Sequence, residues 1–259
     1  MRKIKRGFDY VSSLLSRMLR EKVYTFESVK LRYIFYPCRD SDAMVVVFSA
    51  CTKPGVPARY NYIRTLDGIH ANRLYILDEG AEDKRGTYYL GAYPGFSTEK
   101  AVEKLIEEIA RKYFIRRMYF GGSSKGGWAA LNFAAHFGPA VKAVIAGAPQ
   151  YYLGSYLSAP ANRMTLKCIS GEDTERAVAE LNQHLKRKLP GLSKTKIYLH
   201  FSTQEHTYQE HIKDLLEDLE RVTVIEKDIE SYAEHEEVGR YFPMFFRKCV
   251  MQNIAEGAE

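Results

Sequence analysis

No apolar run in these 259 residues reaches the roughly 18 positions that a membrane-spanning helix requires. The first 22 residues hold no uninterrupted hydrophobic stretch of the kind a secretory signal carries. The expected location is therefore the cytoplasm. Cysteine is scarce as well: Cys38, Cys51, Cys168 and Cys249 lie far apart, with no CxxC and no Cys/His pair at metal-ligand spacing. That excludes a zinc ribbon and a disulfide-framed fold, and leaves four free thiols as the expectation. With only 18 Gly and 9 Pro against 46% apolar residues, neither a collagen-like nor a low-complexity chain is possible. What remains is one large domain with enough apolar side chains for a full core.

An excess of one charge sign is also missing from most of the chain. The net charge of +6 is concentrated at the start, where residues 1–22 hold seven basic and two acidic side chains. The other 237 residues carry 31 basic and 30 acidic groups. A neutral body does not suit nucleic acid, which needs Lys and Arg clustered on a face of the fold itself. Within the basic segment Phe8, Val11, Leu15 and Met18 recur at helical spacing, so residues 1–29 read as a basic amphipathic helical segment ahead of a domain at 30–259. Its apolar stripe either docks on the body or makes residues 2–22 a peripheral attachment to an anionic membrane face or a protein partner.

From residue 30 onward, short apolar runs alternate with helical patterns, the rhythm of an α/β fold. Strands are expected at 31–36, 43–49, 73–77, 117–120, 141–146, 196–201 and 222–226. Several are apolar throughout, as strands covered on both faces should be. Helices are expected at 97–113, at 125–137 ending on Gly138-Pro139, at 173–189 ending on Pro190, and at 208–221. A closing helix containing Val238, Phe242, Phe245 and Phe246 follows.

Chemistry enters directly after the strand at 117–120. Gly122-Ser123-Ser124-Lys125-Gly126 fits G-x-S-x-G. A serine on a very sharp strand-to-helix turn needs neighbours without Cβ atoms, and the turn lifts its hydroxyl above the sheet edge. It also aims the first free helix N–H groups, beginning with Lys125, at any oxygen bound there. The same glycines fail as a phosphate loop, because Gly127 stands where the required lysine would be.

Serine needs a base, normally a histidine oriented by a carboxylate. Of seven histidines, His235 follows the last expected strand on a loop that returns over the turn; a solvated histidine among Glu234, Glu236 and Glu237 is the plainer alternative. For the carboxylate, Thr207-Tyr208-Gln209-Glu210 reads as a capping box that occupies Glu210, and Asp214 is already inside the helix, which leaves Glu205. His206 beside it is either a substrate donor or an exposed loop side chain. A second oxyanion donor should follow the strand at 43–49, from the backbone N–H of Ala50 or Cys51, with Cys51 preferred. Arg59 and Tyr60 belong near the mouth, as substrate contacts or as solvated surface.

With strand, G-x-S-x-G turn, late acid and final histidine in the order Ser, Glu, His, the sequence resembles the α/β-hydrolase superfamily over about residues 30–252. The resemblance implies a mostly parallel sheet of about eight strands with helices on both faces. It also implies acyl transfer through a serine ester, and the serine turn itself calls for no metal or cofactor. Two features depart from the family's pattern: the acid is Glu rather than the commoner Asp, and the lid region at about 150–195 is short with one clear helix. Gly-Ser-Ser-Lys-Gly-Gly at 122–127, the strand ending Val-Phe-Ser-Ala at 47–50, and the 30-residue spacing from Glu205 to His235 resemble a bacterial accessory-secretion and capsule-biosynthesis subgroup. The substrates implied are small-molecule or glycan esters, O-acyl groups on a glycan among them. The alternative from another class is a non-catalytic hydrolase-fold partner of a membrane-associated glycan or secretion assembly.

Overall fold

The computed structural model describes residues 20–93 and 95–257, so residues 1–19 of the basic amphipathic segment lie outside the described residues. The expected helical segment does not extend to residue 29, because Glu21–Phe26 is strand β1. A tight turn with Glu27 at φ +50° folds it back onto β2 (Val29–Tyr36). The remaining strands are β3 (Ala43–Phe48), β4 (Asn72–Leu77), β5 (Arg117–Ser123), β6 (Val141–Gly147), β7 (Lys196–Ser202) and β8 (Ile225–Glu230). They form one eight-stranded sheet in the order β1-β2-β4-β3-β5-β6-β7-β8. Pairings β1–β2 and β2–β4 are antiparallel; the others are parallel.

Among the described residues seven α-helices are present: α1 (Ser97–Lys112), α2 (Lys125–Phe137), α3 (Leu153–Leu157), α4 (Arg163–Ser170), α5 (Glu175–Lys188), α6 (Lys213–Glu220) and α7 (Val238–Glu256). The period-2 geometry of a strand divides β3 between two cores. Met44, Val46 and Phe48 point into the larger one with α1, α2, α5 and α6, while Ala43, Val45 and Val47 face the smaller one built on α7. This double cover explains the unbroken apolar run of β3.

The last strand lies three residues later than expected. β8 is an edge strand with no fully buried residue, whereas Val222 belongs to the turn after α6 and packs on the larger core. The region 150–195 holds three helices, α3 and α4 being too short to show a periodic pattern. Among the described residues no helix is long and apolar enough to cross a membrane. The four cysteines are free thiols.

Candidate active site

Parallel strands β3, β5, β6 and β7 all end on the same side of the sheet, and the side chains at issue sit just beyond those ends. Ser124, between β5 and α2, has φ +53° and ψ −122°, a conformation that a residue with a Cβ adopts only when its surroundings impose it. Its N–H donates to the Gly147 carbonyl at 2.7 Å, while its carbonyl accepts from Gly127 and Trp128. The flanking glycines are required by space. A Cβ on Gly122 would stand 2.8 Å from both the Gly126 carbonyl carbon and the Phe48 oxygen, and one on Gly126 would collide with that same oxygen. Both obstacles are backbone and cannot swing away.

Ser124 is 7% exposed, and its hydroxyl meets His235 Nε2 at 2.9 Å. His235 Nδ1 bonds Glu205 Oε1, which also accepts from Thr207 Oγ1 at 2.6 Å. The three side chains that sequence order singled out, separated by up to 111 positions, are thus in one hydrogen-bonded line. Burial pushes the Glu205 carboxyl up. The hydrogen bonds from His235 and the Thr207 hydroxyl outweigh that effect and hold it below its ordinary value. Glu205 therefore stays ionised beside the imidazole, which fixes Nδ1–H toward the carboxylate and leaves Nε2 bare toward the serine.

The loop carrying His235 is anchored at both ends. Glu234 and Glu237 form a reciprocal capping box across the short turn His235–Glu237 that leads into α7. Glu236 reaches Lys53 at 2.6 Å across the cleft, a pair so exposed that it adds little stability. It is the capping box of Glu234 and Glu237 that holds the histidine loop in place. The capping box expected at Thr207 and Glu210 is absent: Thr207 makes no cap bond, its hydroxyl being turned onto Glu205, and Glu210 is exposed with His206 Nε2 3.9 Å away. The acid loop enters α6 through a π-turn, Tyr208–Ile212, rather than a capped first turn.

Around the serine lies a cleft of about 420 Å³ walled by Cys51, Lys53, Arg59, Asn61, Tyr62, Ser123 and His235, among others. Ala50 N–H is taken by Asn61 Oδ1 at 2.9 Å, which favours Cys51 between the two candidate donors. Lys125 is the first residue of α2, where N–H groups have no partner inside the helix. Arg59 reaches the cleft wall, but Tyr60 bonds Glu21 Oε1 at 3.0 Å instead.

Several side chains were not singled out in the sequence. Gln150, fully buried beyond β6, places Nε2 3.1 Å from Ser124 Oγ, and its Oε1 receives the Tyr88 hydroxyl at 3.2 Å. Tyr62 and Ser123, both in the cleft wall, share a hydrogen bond of 2.5 Å. The Lys125 side chain is buried, its Nζ donating to Asp78 Oδ2 at 3.1 Å, Asp78 O at 3.1 Å and Arg85 O at 2.7 Å. Arg85 in turn bonds Thr52 O at 2.8 Å and the Cys51 sulfur at 3.3 Å, so one buried ion pair braces the loop that supplies the proposed oxyanion donor.

An eight-stranded, mostly parallel sheet with a strained serine between β5 and its following helix is the α/β-hydrolase fold, and this chain has it. No protein-family model matches the sequence, and no curated protein matches it. Among solved structures, the capsule O-acetyltransferase of Neisseria meningitidis serogroup A superposes at a TM-score of 0.70 with 19% identity, over 88% of this chain and 96% of that one. It has also been solved as a histidine-to-alanine variant in complex with CoA. The Glycosylation Associate Protein (Gap123) complex from Streptococcus agalactiae matches at 0.68 with 17% identity, over 90% of this chain and 46% of that one. Est1E from Butyrivibrio proteoclasticus matches at 0.62 with 11% identity, over 92% of this chain and 98% of that one.

Proposed function

We propose that this protein is a serine-dependent ester hydrolase or O-acyltransferase acting on O-acyl groups of a glycan. The observation that carries the reading is the hydrogen-bonded line from Ser124 through His235 to an ionised, buried Glu205. In this mechanism Ser124 Oγ attacks the acyl carbon while His235 Nε2 takes its proton. The imidazolium is held by Glu205, and the N–H groups of Lys125 and Cys51 receive the developing oxyanion. His235 then returns the proton to the leaving group. Attack by water completes hydrolysis; attack by a glycan hydroxyl completes transfer. No step needs a metal ion.

Two observations support a glycan. The capsule O-acetyltransferase shares the fold over most of both chains. Beside the acid loop a groove of about 540 Å³ is lined by Tyr152, Ser155, Tyr156, His206 and His211, the mixture of ring faces and hydrogen-bonding groups that suits sugar rings. Burial lowers His211 to about 4, so it lines that groove as a neutral ring at physiological pH. The CoA complex of the Neisseria enzyme makes an acyl-CoA the donor to try first.

The test is turnover of an aryl acetate and of acetyl-CoA, with and without a hydroxyl-bearing oligosaccharide. Wild type should release the aryl alcohol or free thiol, and His235→Ala should lose that release. Acetylated oligosaccharide marks transfer, and acetate alone marks hydrolysis. Equal turnover by His235→Ala excludes the mechanism. Under the second reading, a non-catalytic partner of an assembly such as the Gap123 complex, wild type shows no turnover.

A further inference from the structure

We propose that Gln150 is a fourth catalytic residue, which stabilises the serine oxygen as it departs from the acyl group and so drives deacylation. The inference rests on Ser124 being the nucleophile.

Donor and acceptor accounting at Ser124 leaves Gln150 one orientation. Ionised Glu205 can only accept, so His235 Nδ1 carries a proton and Nε2 does not. The single Ser124 hydroxyl proton must then point to Nε2, 2.9 Å away. With its proton committed, Oγ can only accept from Gln150, which places the Nε2–H of the amide toward the serine at 3.1 Å. At the far end Gln150 Oε1 accepts the Tyr88 hydroxyl at 3.2 Å. Burial raises that phenol well above its ordinary value, so it remains a donor. Tyr88 is itself locked: its backbone sits at φ +53°, and its ring meets Trp128 edge-on at 5.7 Å. The result is a one-way series of donors, Tyr88 to Gln150 to Ser124 to His235 to Glu205.

The strength of the Gln150 bond follows the electron density on Oγ. A free serine oxygen is a good acceptor, whereas the bridging oxygen of an ester is a poor one because its lone pair is delocalised into the carbonyl. The bond therefore weakens when the acyl-enzyme forms and strengthens again as it breaks down. In deacylation a water or acceptor hydroxyl gives its proton to His235 Nε2 and its oxygen bonds to the acyl carbon. The C–Oγ bond then breaks, its electron pair moves to Oγ, and Oγ takes the proton back from His235. Gln150 N–H meets that electron pair as it arrives, an interaction made in the transition state and largely absent from the acyl-enzyme. Acylation gains nothing, since the free serine already holds the bond.

The measurement is the decay of acetyl-Ser124 after brief exposure to an aryl acetate, followed by intact mass, alongside the rate of fluorophosphonate labelling. Gln150→Met keeps the volume and removes the donor. Its labelling rate should match wild type while acetyl-enzyme decay slows roughly five- to ten-fold, the worth of one neutral hydrogen bond. Tyr88→Phe, a single-oxygen change for use if Gln150→Met does not fold, should slow decay about two-fold. Unchanged decay in a variant that labels normally overturns the proposal. Labelling and decay falling by the same factor overturn it too, because Gln150 would then only hold the serine in place. Absence of wild-type labelling at Ser124 removes the nucleophile itself, a result distinct from both.

Discussion

Glu205→Gln is expected to lower turnover by about three to four orders of magnitude while Glu210→Gln leaves it unchanged. The two glutamates lie five residues apart in one loop-helix junction, yet Glu205 is 2% exposed on the His235 ring and Glu210 is solvated. An amide at position 205 has two ways to sit, both harmful. With its nitrogen toward Nδ1 it donates to the imidazole, forces the proton onto Nε2 and leaves nothing to accept the serine proton. With its oxygen toward Nδ1, its NH2 occupies the site of Oε2, a buried atom without a hydrogen-bond partner, where an unpaired donor costs about 1–3 kcal/mol. Either way the charge that stabilises the imidazolium is gone. Steady-state kinetics on an aryl acetate should show the loss in kcat with KM little moved. Because Glu210 caps nothing, Glu210→Gln should also melt with wild type. A kcat loss in Glu210→Gln comparable to that in Glu205→Gln would reassign the acid.

Lys125→Met should be the most destabilising single change next to the serine, costing about 3–5 kcal/mol. Lys125 and Asp78 are 0% and 1% exposed at the side chain, and the ammonium has three acceptors for its three protons. The Asp78 carboxylate is also held by the N–H groups of Thr87 and Tyr89. Removing the cation leaves a buried negative charge without a counter-ion and the Arg85 carbonyl without its donor. For a chain of this size the melting temperature should fall by roughly 10 °C. Replacing both partners by apolar residues should cost less than the two single changes added together, since no charge is then stranded. Additive losses in that cycle would mean that the pair is not coupled.

How much of this was readable in the sequence depended on whether the signal was local. β3, β5, β6 and β7, α1, α2 and α5 followed from apolar runs and helical spacing, because strands buried on both faces and helices with an apolar stripe show themselves in composition. The sharp turn at Ser124 was legible because it needs glycines at 122 and 126, a steric demand made by the Phe48 carbonyl. Chain order then led to Glu205 and His235, which the fold brings into contact. Edge strands were harder. β1 and β8 pack one face only, so charged residues such as Glu21 and Lys227 sit among their apolar ones. Thr207 misled because its hydroxyl had two possible partners, a helix N–H or the Glu205 carboxylate, and only tertiary structure decides between them.

Gln150 and the Lys125 side chain were out of reach for a related reason. A lysine is normally solvated, and nothing near position 125 announces that Asp78, 47 residues earlier, is buried beside it. Gln150 carried one usable signal: it lies just past the carboxyl end of β6, next to the strand bearing the serine, where α/β sheets place their ligands.

The most direct measurement of the central claim is reaction with a fluorophosphonate probe, with the modified residue located by peptide mass spectrometry. Wild type should take up one probe at Ser124, and Ser124→Ala and His235→Ala should take up none although both remain folded. Undiminished labelling of folded Ser124→Ala, or a probe found on any other residue of the wild-type protein, would contradict it.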